Sequence, residues 1–131
     1  MKSFIGKFEP YIYSIFRIIV GFLFLWHGSS LLFKFPMPMA GAGEMPAVML
    51  YTIGCLNFFC GVLVMIGIFT PVAAFVASGE MAIAYWSVHA PHALLPIINQ
   101  GELSVFYCFA FLFIAARGAG IWSLDRIIFK K

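Results

Sequence analysis

From Ala47 to Gly79 the chain runs for 33 residues without a charged side chain, and this stretch alone rules out most folds. As one helix it would be ~50 Å long at ~1.5 Å per residue, well beyond the ~30 Å hydrocarbon core of a bilayer. Thr70-Pro71 divides it. Proline suits the first turn of a helix and threonine before it is a good N-cap, so one helix is expected to end near Phe69 and the next to start at Pro71. Of the 131 residues 63% are hydrophobic and 10% charged, against roughly 25% charged in a soluble domain. The chain therefore reads as a single transmembrane domain, residues 1–131, with the lipid bilayer as its main partner.

Four apolar runs are long enough to cross, at about residues 11–33, 47–69, 71–88 and 103–122. The basic residues Lys2, Lys7, Arg126, Lys130 and Lys131 stand at the chain ends. The connector 89–102 has no Lys or Arg, and the first loop has only Lys34. The excess of positive charge on cytoplasmic segments then places both termini in the cytoplasm, as an even number of spans requires. The expected fold is all-α: an integral membrane four-helix bundle with both termini cytoplasmic. A net charge of +3 gathered at two ends makes no stripe for nucleic acid, which is not expected as a partner. Ala40-Gly41-Ala42 resembles a leader cleavage site, but Arg17 and His27 interrupt the run before it, so that run is expected to stay as a helix. Cys55, Cys60 and Cys108 fall in apolar runs without metal-pair spacing; they read as small buried hydrophobes, and no metal site is expected.

Small residues let membrane helices approach closely and so mark the inner face of a bundle. Arg17, Gly21 and Gly28 share a face of the first helix, Gly54, Asn57 and Gly61 one of the second, and Ala73, Ala77, Glu80 and Ala84 one of the third. Each small face carries one polar group. An ionisable side chain inside a span is costly and needs a partner. Counting ~1.5 Å per residue from the inner ends puts Arg17 at ~9 Å, Glu80 at ~13 Å, Asn57 at ~18 Å and Arg117 at ~8 Å. These four are expected to form a buried polar network, with Arg17 and Glu80 as its ion pair. A second group, His27, His89, Asn99 and Glu102, is expected near the outer surface as a ligand or proton site, joined from the loops by His92, Lys34 and Glu44. Phe106, Phe109 and Phe113 read as a packing stripe. Neither a nucleotide fingerprint nor a CxxC or haem-attachment motif is present, so no cofactor is encoded by a motif.

Several stretches together resemble one family. Gly118-Ala-Gly-Ile-Trp-Ser-Leu-Asp125 is similar to the glycine-rich WSLD ending of the DoxX-like bacterial membrane proteins. Asn99-Gln-Gly-Glu102 resembles their entry to the last helix, Arg17 with Gly21 and His27-Gly28 their first helix, and Glu80 to Pro91 one branch of the family. The resemblance covers nearly the whole chain. It implies a multi-pass four-helix protein of the bacterial inner membrane, and an association with quinol oxidase and thiosulfate:quinone oxidoreductase activities. Three departures stand out: Asn57 where many relatives carry Glu, Thr70-Pro71 in place of Thr-Arg, and Lys34 six residues after Gly28.

The expected function is a membrane subunit that binds a small amphipathic redox molecule, a quinone, and works with an oxidoreductase partner protein rather than as an enzyme alone. The alternatives are a bundle that transports small molecules or lipid, and a non-catalytic scaffold for a soluble partner.

Overall fold

The computed structural model describes residues 3–130, so Lys2 and Lys131, two of the basic residues used for orientation, lie outside the described residues. Among these residues the chain is all-α: a 3-10 turn, Phe4–Phe8, leads into α1 (Glu9–Phe33), followed by α2 (Ala47–Ile66), α3 (Thr70–Ala84), α4 (Pro96–Asn99), α5 (Glu102–Arg117) and α6 (Leu124–Phe129). A π-helical turn, Tyr85–His89, prolongs α3. Two helical stretches, Phe4–Phe33 and Ala47–Ile66, are long and apolar enough to cross a membrane. Pro10 in the first turn of α1 costs no hydrogen bond, and Glu9 beside it suits the positive end of the helix dipole.

α1 packs against α2, α3 against α5, and the two pairs meet mainly along α2 and α3. The first contact is backbone to backbone. A Cβ on Gly21 would lie 2.5 Å from Met65 N, and one on Gly28 would lie 2.6 Å from Phe58 Cα, so α1 and α2 touch where only glycine fits. Between the pairs lie Phe24, Val64, Ala73, Ala74, Ala77, Phe111 and Ile114, all buried. The outward faces are apolar as well: Ile15 and Ile19 on α1, Tyr51 and Phe59 on α2, Phe75 and Ile83 on α3 are exposed. Water would not solvate such a surface, whereas lipid does.

The stripe Phe106, Phe109 and Phe113, read as packing, lies on this outer surface at 67%, 64% and 53% exposure, and of the three Phe113 packs edge-on against Tyr13 and Phe16. The inward residues of α5 are Tyr107, Ala110, Phe111 and Ile114, displaced by one position. Cys55 is likewise exposed, while Cys60 is buried and Cys108 half-buried.

The start of α1, the turn between α2 and α3, and the end of α5 gather at one end, here called the base. The segment after α5 ties them together. Tyr13 donates its hydroxyl to Gly118 O. Asp125 N–H donates to Gly67 O at 2.7 Å, and the Asp125 carboxylate accepts from Phe69 N at 2.8 Å and Thr70 N at 2.9 Å. Gly67 ends α2 at φ +75°, and a Cβ there would sit 2.5 Å from Ser123 Cβ. The expected threonine cap is thereby corrected. Thr70 is the first residue of α3, its hydroxyl has no partner, and the capping acceptor comes from Asp125, 55 residues along the chain.

Asp125→Ala is therefore expected to lower thermal stability by about 1–2 kcal/mol, the usual cost of losing a helix cap. Asp125→Asn, which keeps one acceptor oxygen, should recover part of the loss. Melting curves in mild detergent measure both, and an Asp125→Ala curve that overlays the native one would remove this role.

Candidate functional site

The buried polar residues separate into three levels rather than one network. At the base, Arg17 is fully buried; Nη1 donates to Val64 O and to Met65 O, and Nη2 donates to Trp122 O. Val64 and Met65 belong to the last turn of α2, whose carbonyls have no partner within the helix, so the guanidinium completes that end and places a positive charge at the negative pole of the dipole. Arg117 also sits at the base, 2.5 Å from the carboxylate of Glu9 and 4.4 Å over the ring of Tyr13. The expected Arg17–Glu80 ion pair is not made. Both Nη groups of Arg17 are taken up by carbonyls while its Nε has no partner, and Arg117 and Glu9 form the one ion pair among the described residues.

The middle level is the candidate site. The approach of Gly28 to Phe58 sets His27 of α1 level with Asn57 of α2. With its amide nitrogen facing the acceptors, Asn57 donates to Glu80 Oε2 at 3.0 Å and to Ile53 O at 3.3 Å. On α3, Ser78 donates to Cys108 O of α5 at 2.7 Å, which brings Tyr107 to the height of Glu80. The imidazole of His27 meets the Tyr107 ring edge-on, with centroids 5.7 Å apart. Phe24 lies against both Tyr107 and Phe111. One polar side chain from each of four helices thus lies in a single layer, surrounded by apolar residues. Asn57 and Tyr107 are buried, whereas His27 and Glu80 are half-buried. Among the described residues the His27 ring nitrogens, the Tyr107 hydroxyl and Glu80 Oε1 make no hydrogen bond. The layer therefore offers donors and acceptors not consumed by the fold, beside an aromatic surface.

At the far end, His89 and Asn99 do come together: His89 Nδ1 lies 3.1 Å from Asn99 O. Asn99 is occupied by the loop itself. Its amide donates to Tyr85 OH at 3.2 Å and Ala93 O at 2.7 Å, its Oδ1 accepts from Gly101 N at 2.8 Å, and Tyr85 OH donates to Leu94 O. Glu102 begins α5 exposed, and His92, Lys34 and Glu44 are exposed on separate loops. Of the four residues expected to form an outer site, His27 joins the middle layer instead, and His89 and Asn99 lock a connector.

The residues missed by sequence reasoning are Tyr107 and Ser78, both buried. Tyr107 leads the repeat 107, 110, 111, 114, which has helical spacing and carries the one small residue, Ala110, of that face; this was the available signal.

The DoxX family model matches residues 12–90 of the chain. That region runs from α1 through the π turn and includes His27, Asn57 and Glu80 but neither Asn99–Glu102 nor the Gly118–Asp125 ending. A protein of Haemophilus influenzae described as uncharacterized is 37% identical over 129 residues, an alignment covering 95% of this chain and 96% of that one. No solved structure matches.

Proposed function

The chain belongs to the DoxX family of membrane proteins, and from that premise we propose that it is a four-helix subunit of the bacterial inner membrane that holds a small amphipathic redox molecule, a quinone, at the His27–Asn57–Glu80–Tyr107 layer. In this reading both termini are cytoplasmic and the chain crosses four times, at about residues 11–33, 47–69, 71–88 and 103–122. The exposed apolar faces of all four long helices support it. α5 has 16 residues and is about 24 Å long, short of a ~30 Å core; the apolar stretch Gly118–Trp122 completes the crossing. The partner is an oxidoreductase protein, with this chain as its membrane subunit.

The observation that carries the reading is that polar groups from four helices share one level and keep unused hydrogen-bonding capacity there. A flat ring with two carbonyl oxygens and an apolar tail fits that donor set. His27 and Tyr107 have donors for the oxygens, Phe24 and Tyr107 have ring faces, and the half-buried His27 and Glu80 keep the layer partly open to the outside. A bound quinone supplies two-electron, two-proton chemistry. The chain's own work is to orient the head group through His27 and Tyr107 and to hold a proton at Glu80 Oε1. Asn57 fixes the other carboxylate oxygen, so that the carboxyl group keeps one orientation.

The test is extraction and mass-spectrometric identification of small molecules that co-purify with the intact protein in mild detergent, alongside Glu80→Gln and Tyr107→Phe. Both variants preserve shape, and the amide oxygen introduced by Glu80→Gln would still accept from Asn57, so melting temperatures should stay within a few degrees of native. Native protein is expected to retain a quinone and Tyr107→Phe to lose most of it. Glu80→Gln should retain the ligand but lose proton-coupled turnover with the partner. Ordinary phospholipid as the sole co-purifying molecule in all three samples would overturn the redox reading, and solute flux in vesicles would then favour transport.

A further inference from the structure

The base holds a cavity of about 690 Å³ that the middle layer does not use. It lies between the start of α3, the end of α5 and α6, and its walls include Phe69, Pro71, Val72, Ile121 and Phe129. Two guanidinium groups, Arg117 and Arg126, border the same space. The carboxylate of Asp125 borders it too, but both its oxygens accept from the backbone N–H groups of Phe69 and Thr70. Arg117 is held by Glu9 and the Tyr13 ring, while Arg126 has no ion-pair partner among the described residues. An apolar chamber with a fixed cation and a free one at its rim matches an anion carried on an apolar body.

We propose that this cavity binds the phosphodiester head group of an anionic phospholipid from the surrounding leaflet, with Arg126 and Arg117 on the phosphate and the apolar walls around the first carbons of the chains. A guanidinium presents paired donors that fit two phosphate oxygens. The volume lies within the ~300–1,000 Å³ of ordinary ligand sites, so a head group and chain roots fit where a whole lipid does not. The tails leave past Val72 and Phe129, which line the cavity and are themselves exposed. In the turn that leads into α1, Phe4, Ile5 and Phe8 are exposed, with Lys7 Nζ over the rings of Phe4 and Phe8. Apolar side chains beside basic ones at both chain ends suit the boundary between acyl chains and anionic head groups. The inference rests on the membrane reading and is independent of the quinone.

Native mass spectrometry of the full chain in mild detergent tests it, with phosphatidylglycerol or phosphatidylcholine of the same acyl chains added, and with glycerol 3-phosphate as competitor. Phosphatidylglycerol should be retained at least about fivefold more than phosphatidylcholine, the effect of about one basic side chain on an anionic lipid. Arg126→Gln should abolish that preference without changing the melting temperature, because its side chain is exposed, and Arg126→Lys should restore part of it. Equal retention of the two lipids by native protein would overturn the proposal, and so would a full preference in Arg126→Gln. Displacement of the lipid by an equal concentration of glycerol 3-phosphate would also overturn it, because the site would then serve a soluble phosphate. A protein that keeps the preference but carries no quinone leaves this site standing while the redox reading fails.

Discussion

Arg17→Met is expected to unfold at a much lower temperature than native protein, or to fail to survive extraction. The side chain is fully buried and its guanidinium donates to three carbonyls, those of Val64, Met65 and Trp122. Methionine fills much of the volume and donates nothing. Each buried carbonyl left without a donor costs about 1–3 kcal/mol, and this setting has little water to replace it. Three such losses come to on the order of 3–9 kcal/mol, a large part of the ~5–15 kcal/mol that holds a typical domain together. The same change takes a positive charge from the end of α2 and removes one of the ties between α1 and the segment after α5, leaving the Tyr13 hydroxyl on Gly118 O. Arg17→Lys should recover only part, because an ammonium keeps the charge but cannot span carbonyls on two segments as a planar fork does. Thermal unfolding in detergent decides it. If Arg17→Met melts within a few degrees of native, the three carbonyls have other donors and the base is held by something else.

Why Arg17 was legible as buried, and its partner was not, follows from what a helical count contains. Spacing puts Arg17 on the face of Gly21 and Gly28, and that face does contact α2. Counting rise from each helix start gives heights but no direction around the neighbouring axes. Arg17 is level with Val64 and Glu80 with Asn57, so the two lie seven residues of α2 apart, or about 10 Å. A carbonyl at a helix end also leaves no mark in a sequence, whereas a carboxylate does, and the count matched charge to charge. Which face of α5 turns inward was not legible for a related reason. Moving by one residue turns a helix by about 100°, and in a chain whose outer surface is itself apolar, hydrophobicity no longer separates Phe106 from Tyr107. The break at Thr70-Pro71 was legible because proline acts locally. Its cap was not, because Asp125 reaches Thr70 from the far end of the chain.

The layer of polar groups depends on a contact that leaves no room for a methyl group, and Gly28→Ala is expected to disturb both stability and ligand retention. A Cβ at Gly28 would lie 2.6 Å from Phe58 Cα and 2.7 Å from Gly54 O, and nearer still to Phe58 N. These are all backbone atoms, so no side-chain rotation relieves the overlap and the two helices must move apart. Overpacking that displaces backbone costs about 1–3 kcal/mol, occasionally more. Here it also removes the close packing that drives helices together in lipid. His27 precedes Gly28 and Asn57 precedes Phe58, so the separation falls at the height of the candidate site. It draws the imidazole away from the amide and shifts it against Tyr107. Gly79→Ala is the matched control, because nothing lies within 4 Å of a Cβ there, and alanine in place of an open helical glycine stabilises by about 0.4–1 kcal/mol. Melting temperature and retained small molecule, read on both variants, should diverge: lower on both measures for Gly28→Ala, and native or slightly higher stability with full retention for Gly79→Ala. If the two behave alike, α1 and α2 are not in backbone contact at this height and the layer loses its frame. If Gly28→Ala loses stability but keeps its ligand in the folded fraction, His27 is removed from the site, and the binding groups narrow to Asn57, Glu80 and Tyr107.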